Sequence, residues 1–287
     1  MSYGAALLLF VTAVWGTTFP IIRIASAHLS GVEISALRFL IAGLIMLPVA
    51  LRASRAAWRD GIVLGAVALI SHVSQAIGLQ HISSNRSAFL TSLNVLMVPF
   101  LALWLGGRLS RQALAAAILA CAGIGLMSWD GRGDPFGDGV TLLCALAYAV
   151  YIILLSRRIR SHSSLTLAAT QLVSMALLGG AWLLAAHLRG ESFAALAERA
   201  QPILTSVIYL GVVASAGMLL LQAIGQRQVS AQKAAVIYAL EPVFAALAGW
   251  IWLHETLTAR EQAGGAMVVV AVILGEWRFV LASKDKQ

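Results

Sequence analysis

Apolar residues run along this chain in long unbroken stretches, and short breaks between them hold most of its charge, Gly and Pro. The stretches do not alternate apolar with polar, which predicts helices and argues against membrane strands. Each is close to the roughly 20 residues a helix needs to cross the hydrocarbon of a bilayer. The breaks delimit ten spans, at 3–22, 33–51, 61–80, 86–105, 111–129, 136–156, 164–188, 202–224, 231–253 and 259–281. An all-α integral membrane protein with ten transmembrane helices is therefore expected. The clearest break runs from Asp130 to Asp138 and contains Gly131, Gly133, Pro135 and Gly137. It divides the chain into 1–130 and 131–287, two units of five spans each.

The two units carry a trace of one another. Gln75-Ala76-Ile77-Gly78, late in the third span, recurs as Gln222-Ala223-Ile224-Gly225, late in the eighth. Ser83 then aligns with Ser230, and Arg86 with Lys233. A match at equivalent places in both halves indicates duplication. Five spans is an odd number, so the second copy enters the membrane from the opposite side. Two inverted five-helix repeats are the arrangement that many secondary transporters use.

Composition sharpens this picture. Hydrophobic residues make up 60% of the 287, charged residues only 11%, and mean hydropathy is +0.87. A soluble fold cannot hide that much apolar surface, and a disordered chain would not contain it. The net charge of +8 does not point to nucleic acid. Its Arg and Lys are scattered between apolar runs with no basic stripe, and positive cytoplasmic loops give the same balance. One set of loops carries thirteen of the 20 basic residues and the other six, with Arg38 inside a span. The richer side is taken as cytoplasmic, which puts both termini inside. The apolar start lacks a basic leader and a cleavage site, so it reads as a retained first span. Cys121 and Cys144 fall in apolar runs and read as packing residues, with no metal spacing around them. No cofactor or metal is expected.

Polar side chains inside a span usually face a protein interior or a water-filled cavity. Several spans place such residues three apart, on one helical face. They are Trp15 and Thr18, His72 and Gln75, Thr91 and Asn94, Tyr148 and Tyr151, and Tyr238 and Glu241; the eighth span adds Ser215 and Gln222. These residues are the candidate substrate contacts, and they put spans one, three, four, six, eight and nine around a cavity. Spans two, five, seven and ten are plainer and are expected at the periphery. Each residue also has a plainer reading. Thr18, Thr91 and Ser215 can bond their own backbone. His72 can be a satisfied core histidine, Gln75 and Gln222 can join helices, and Trp15 can be packing. Glu241 is the one acid near the centre of a span. It can carry a proton in coupled export or receive a substrate ammonium, or it can bond a carbonyl freed by Pro242. Arg38 either pairs with Glu33 or snorkels to headgroups, or it anchors a substrate carboxylate.

Catalytic signatures are scarce. The chain has no His-Glu-x-x-His, no phosphate-cradling Gly-rich loop and no Gly-x-Ser-x-Gly. Gly131-Arg132-Gly133-Asp134 has no second intramembrane Asp to form a carboxylate pair. An intramembrane enzyme acting on a lipid or isoprenoid is the rival to a transporter, and it lacks an assembled nucleophile or acid pair.

Trp15-Gly16-Thr17-Thr18-Phe19-Pro20 and Ala36-Leu37-Arg38-Phe39 resemble the opening of EamA-type members of the drug/metabolite transporter superfamily. Ala239-Leu240-Glu241-Pro242-Val243-Phe244-Ala245-Ala246-Leu247, Glu255-Thr256-Leu257-Thr258 and Gly264-Gly265-Ala266 resemble their second repeat. The family often has Glu just after the fourth span, where this chain has Gly106-Gly107-Arg108. The resemblance implies ten helices, an inner-membrane location and export of small metabolites by alternating access. Within the family the chain is most similar to YddG-type exporters of aromatic amino acids. The expected partners are thus an amino acid or related amphiphile and the lipid bilayer. Two fused repeats can enclose a site without a second copy, so a monomer suffices.

Overall fold

Serine sets seven of the helix starts among the described residues. Ser2, Ser30, Ser54, Ser83, Ser163, Ser192 and Ser230 are extended in backbone, and each side-chain oxygen accepts from the N–H three residues on. Each bond satisfies one donor that the first helical turn leaves open. Ser30 and Glu33 complete a reciprocal capping box, and Asp134 does the same work before Pro135.

The structure, a computed structural model, describes residues 2–104, 111–128, 134–188, 192–253 and 258–284. Its helices are α1 (Tyr3–Gly16), α2 (Thr18–Ala25), α3 (Gly31–Ala50), α4 (Arg55–His81), α5 (Ser84–Ser92), α6 (Asn94–Trp104), α7 (Arg111–Ser128) and α8 (Pro135–Arg158). There follow α9 (Ser164–His187), α10 (Phe193–Ala200), α11 (Leu204–Tyr209), α12 (Met218–Gln226), α13 (Ala231–Tyr238), α14 (Glu241–Leu253) and α15 (Ala259–Lys284). A 3₁₀ turn at Gln201–Ile203 joins α10 to α11, and a π-helical stretch at Leu210–Gly217 joins α11 to α12. No strand occurs among the described residues. Seven segments among them are long and apolar enough to cross a membrane: Tyr3–Ala25, Gly31–Ala50, Arg55–His81, Pro135–Arg158, Ser164–Ala186, Phe193–Gln226 and Ala231–Ala248. Their outer faces expose Phe10, Leu44, Leu177, Trp182 and Ile208, as lipid-facing helices should.

Helix bounds fall near the expected ones, but several segments are interrupted where the sequence reading has continuous spans. Thr17 separates α1 from α2, Leu93 separates α5 from α6, and Ala239 with Leu240 separates α13 from α14. The causes are local. Pro20 and Pro242 have no N–H to offer the carbonyls of Gly16 and Tyr238 four residues back. Thr17 and Thr18 turn their hydroxyls onto the carbonyls of Val14 and Trp15, both at 2.7 Å. At the Leu93 break Asn94 Nδ2 donates to the carbonyl of Thr91 at 2.7 Å.

Packing places these breaks at the centre. α3 lies along α9, α4 along α8 and α9, and α7 along α15, while α1 packs on α12 and α14. Glycine allows the closest approaches. A Cβ on Gly61 would sit 2.5 Å from Thr170 Cβ of α9, and one on Gly16 would sit 2.5 Å from Phe244 Cβ of α14. At the helix ends, Arg199 pairs with Glu33 and Arg86 with Asp138, each with a 2.7 Å contact. Asp60 meets both Arg158 and His162. Glu33 therefore serves Arg199, and the expected Glu33–Arg38 pair does not form. Gly106, Gly107, Arg108, Glu255, Thr256 and Leu257 lie outside the described residues.

Candidate functional site

The interruptions meet at a buried cavity. Its wall is built from Trp15, Thr18, Phe19, Arg38, Ser71, His72, Gln75, Thr91, Cys144, Tyr148 and Glu241. The break after α1 supplies Trp15, Thr18 and Phe19; that before α14 supplies Glu241. Thr91 comes from the last turn of α5. The open volume is about 30 Å³, room for a water or two and too little for a metabolite.

Seven expected residues line this cavity: Trp15, Thr18, His72, Gln75, Thr91, Tyr148 and Glu241. Thr18 Oγ1 bonds the Trp15 carbonyl, the backbone use open to a threonine in a span. His72 Nδ1 lies 2.8 Å from the Ala68 carbonyl, and its ring meets Phe39 edge-on at 5.2 Å. A carbonyl only accepts, so Nδ1 carries a proton.

The other five, Asn94, Tyr151, Ser215, Gln222 and Tyr238, are buried and do not line this cavity in the present shape. Tyr151 Oη donates to Gln222 Oε1 at 3.0 Å and accepts from Gln171 Nε2 at 3.0 Å. Gln222 Nε2 in turn donates to Tyr148 Oη at 3.2 Å. Tyr238 Oη donates to Gln226 Oε1, whose Nε2 holds the Ile152 carbonyl and Ser156 Oγ. Asn94 is fully packed, and its amide oxygen has no partner among the described residues. Ser215 Oγ donates to the Leu210 carbonyl five residues back, at 2.7 Å. That bond sits on the π-helical stretch, a form that concentrates at functional positions. The same stretch leaves the Ala214 carbonyl to accept from Trp15 Nε1 at 2.9 Å.

Two aromatic rings, Trp15 and Tyr148, close one side, and Tyr238 packs behind them. The three lie with centroids 5.7 to 6.2 Å apart, and Tyr148 stacks on Tyr151. The Tyr–Gln network continues from them toward the ends of α8 and α12 that carry Arg158 and Gln226.

Sequence reasoning placed α3 and α9 at the periphery, yet α3 brings Arg38 to the cavity and α9 brings Gln171 to the network. Arg38 is 3% exposed, and its Nε donates to Ser215 Oγ at 2.8 Å. It therefore neither snorkels nor joins Glu33. A lone arginine two turns inside an apolar span was the available signal. Phe19, Ser71 and Cys144 gave no such signal, being ordinary residues for a membrane helix.

The model of the EamA-like transporter family matches residues 2–129 and again 135–275. The chain belongs to the EamA-like transporter family. An uncharacterized transporter of Archaeoglobus fulgidus is 28% identical to it over 275 residues, covering 93% of this chain and 83% of that one. The uncharacterized transporter YvbV of Bacillus subtilis is also 28% identical, over 94% of this chain and 90% of its own. One solved crystal structure has this EamA chain's fold, with a TM-score of 0.74, 18% identity and full coverage of both chains.

Proposed function

We propose that the protein is a secondary transporter that exports amino acids or related small amphiphiles across the cell inner membrane by alternating access. The observation that carries this reading is the convergence of interrupted helices from both halves on one polar and aromatic cavity. Broken helices at the interface of two repeats are how secondary transporters build a midplane site.

In this reading each interrupted segment is one span, giving ten in all, with both termini cytoplasmic and the halves 1–130 and 131–287 inverted. The packing supports it, because exchanging the halves leaves the pattern of neighbours unchanged. Span two meets seven, and five meets ten; three meets six as eight meets one, and four meets six as nine meets one. The spacing that aligns Gln75 with Gln222 also aligns Ser83 with Ser230, both of which are helix caps. It further aligns Asn94 with Glu241, and each of these opens the second part of an interrupted span. Trp15, Phe19 and Tyr148 offer faces on which an apolar or aromatic side chain can stack. A 30 Å³ cavity cannot hold an amino acid, so the substrate enters only when one half rocks away from the other.

The test is flux. Proteoliposomes holding the full chain should take up labelled Phe, Trp, Met or Thr in a saturable way, and Tyr148→Ala should weaken it. Labelled product without net flux would favour an intramembrane enzyme. Absence of both flux and solute-dependent stabilisation would overturn the transporter reading.

A further inference from the structure

Two buried ionisable groups, Arg38 and Glu241, line the cavity without an ion pair to any described residue. Arg38 bonds Ser215 through Nε, and its Cζ lies 5.1 Å from the centre of the Phe39 ring. Neither of its terminal nitrogens bonds any described residue. Glu241 is 4% exposed, and its carboxyl makes no hydrogen bond or ion pair with any described residue. The two do not pair with each other, because no contact within the 4.0 Å of an ion pair joins them.

The remaining buried acids are treated differently. Glu33 meets Arg199, and Asp60 meets Arg158 and His162. An unpaired charge in hydrocarbon is costly, and charges there usually pair or serve a passing solute. His72 does not supply the missing partner. Its proton is held on Nδ1 by the Ala68 carbonyl, so a neutral ring offers Nε2 only as an acceptor. A ligand that carries both a carboxylate and an ammonium would satisfy the two groups at once.

We propose that Arg38 and Glu241 form a split receptor for an amino-acid zwitterion, Arg38 taking the carboxylate and Glu241 the ammonium. The inference rests on the amino-acid transporter reading and adds the two polar anchors to it. Guanidinium presents a planar fork that matches a carboxylate in two parallel bonds. With Nε already committed to Ser215, its terminal nitrogens are the ones left for a ligand. The Ser215 bond, tied back to the Leu210 carbonyl, holds the fork still. The side chain of the substrate is then left to Trp15, Phe19 and Tyr148, so specificity for the charged end and for the side chain is divided between different residues.

The test compares three ligands on the full wild-type chain in detergent or proteoliposomes: L-phenylalanine, phenethylamine, which lacks the carboxylate, and 3-phenylpropanoate, which lacks the ammonium. Melting temperature and competition for labelled phenylalanine flux are read for each. Only the amino acid should stabilise the protein and compete. Arg38→Gln should weaken phenylalanine binding about 30-fold, with Arg38→Lys recovering part of it. Glu241→Gln should weaken it comparably while letting 3-phenylpropanoate bind better than it does to wild type. Amine or acid binding within about threefold of the amino acid would overturn the proposal and leave the transporter reading standing. If no amino acid binds or moves, that reading falls and this one with it. The wild-type comparison needs no variant, so poor folding of a substitution does not blunt it.

Discussion

Tyr151 shows how much a single hydroxyl can hold. It joins Gln171 of α9 to Gln222 of α12, and through Gln222 to Tyr148 on the cavity wall. In a buried setting the cost of losing such a group comes from the partners left behind. Tyr151→Phe should therefore lower stability by about 1–3 kcal/mol, read as a drop in melting temperature of the solubilised protein. Most of the cavity wall was legible at this scale, because helical spacing of three puts Trp15 with Thr18 and His72 with Gln75. Depth was not. Tyr151, Gln222 and Tyr238 share the sequence character of Tyr148, and only packing decides which hydroxyl faces the cavity and which bonds an amide behind it. Of the two readings open to Arg38, the outward one fails for a related reason. A charge near a span end ordinarily reaches for headgroups, and nothing in the sequence shows Ser215 waiting 177 positions away.

At the scale of the helix, hydrophobic runs marked the spans well, while their interruptions stayed hidden. Pro20 and Pro242 hinted at two of them, but proline also sits in continuous membrane helices, as Pro48 does within α3. The break at Leu93 has no proline close behind it; Asn94 bonding the Thr91 carbonyl accounts for it. Serine ahead of seven of the helices is a signal in the sequence that fixes those starts to the residue. The break before α14 sets where Glu241 stands. Pro242→Ala returns an N–H to the helix and favours continuous helix by about 3 kcal/mol. Transport turnover should fall in a counterflow assay while the melting temperature holds or rises. Gly16→Val tests the facing wall. Its Cβ would lie 2.5 Å from Phe244 Cβ and 3.0 Å from the Glu241 carbonyl. The overpacking should cost about 1–3 kcal/mol, seen in thermal unfolding.

Across the whole molecule, three charge clusters join residues of the two halves near the helix ends: Glu33 with Arg199, Arg86 with Asp138, and Asp60 with Arg158 and His162. Removing one partner strands the other in a partly buried place. Asp60→Ala should thus destabilise the protein by more than Arg59→Ala, because Arg59 is largely exposed; paired melting curves measure the difference. The topology has its own check: reporter fusions at both tails should both read as cytoplasmic. The closeness of the cavity matters beyond the substrate. A chamber with room for a water or two, beside Trp15, Tyr148 and Tyr238, holds too little water to keep an ion hydrated. Whatever crosses at this place waits on movement of the surrounding helices, so passage there comes in discrete turnovers rather than as a steady stream.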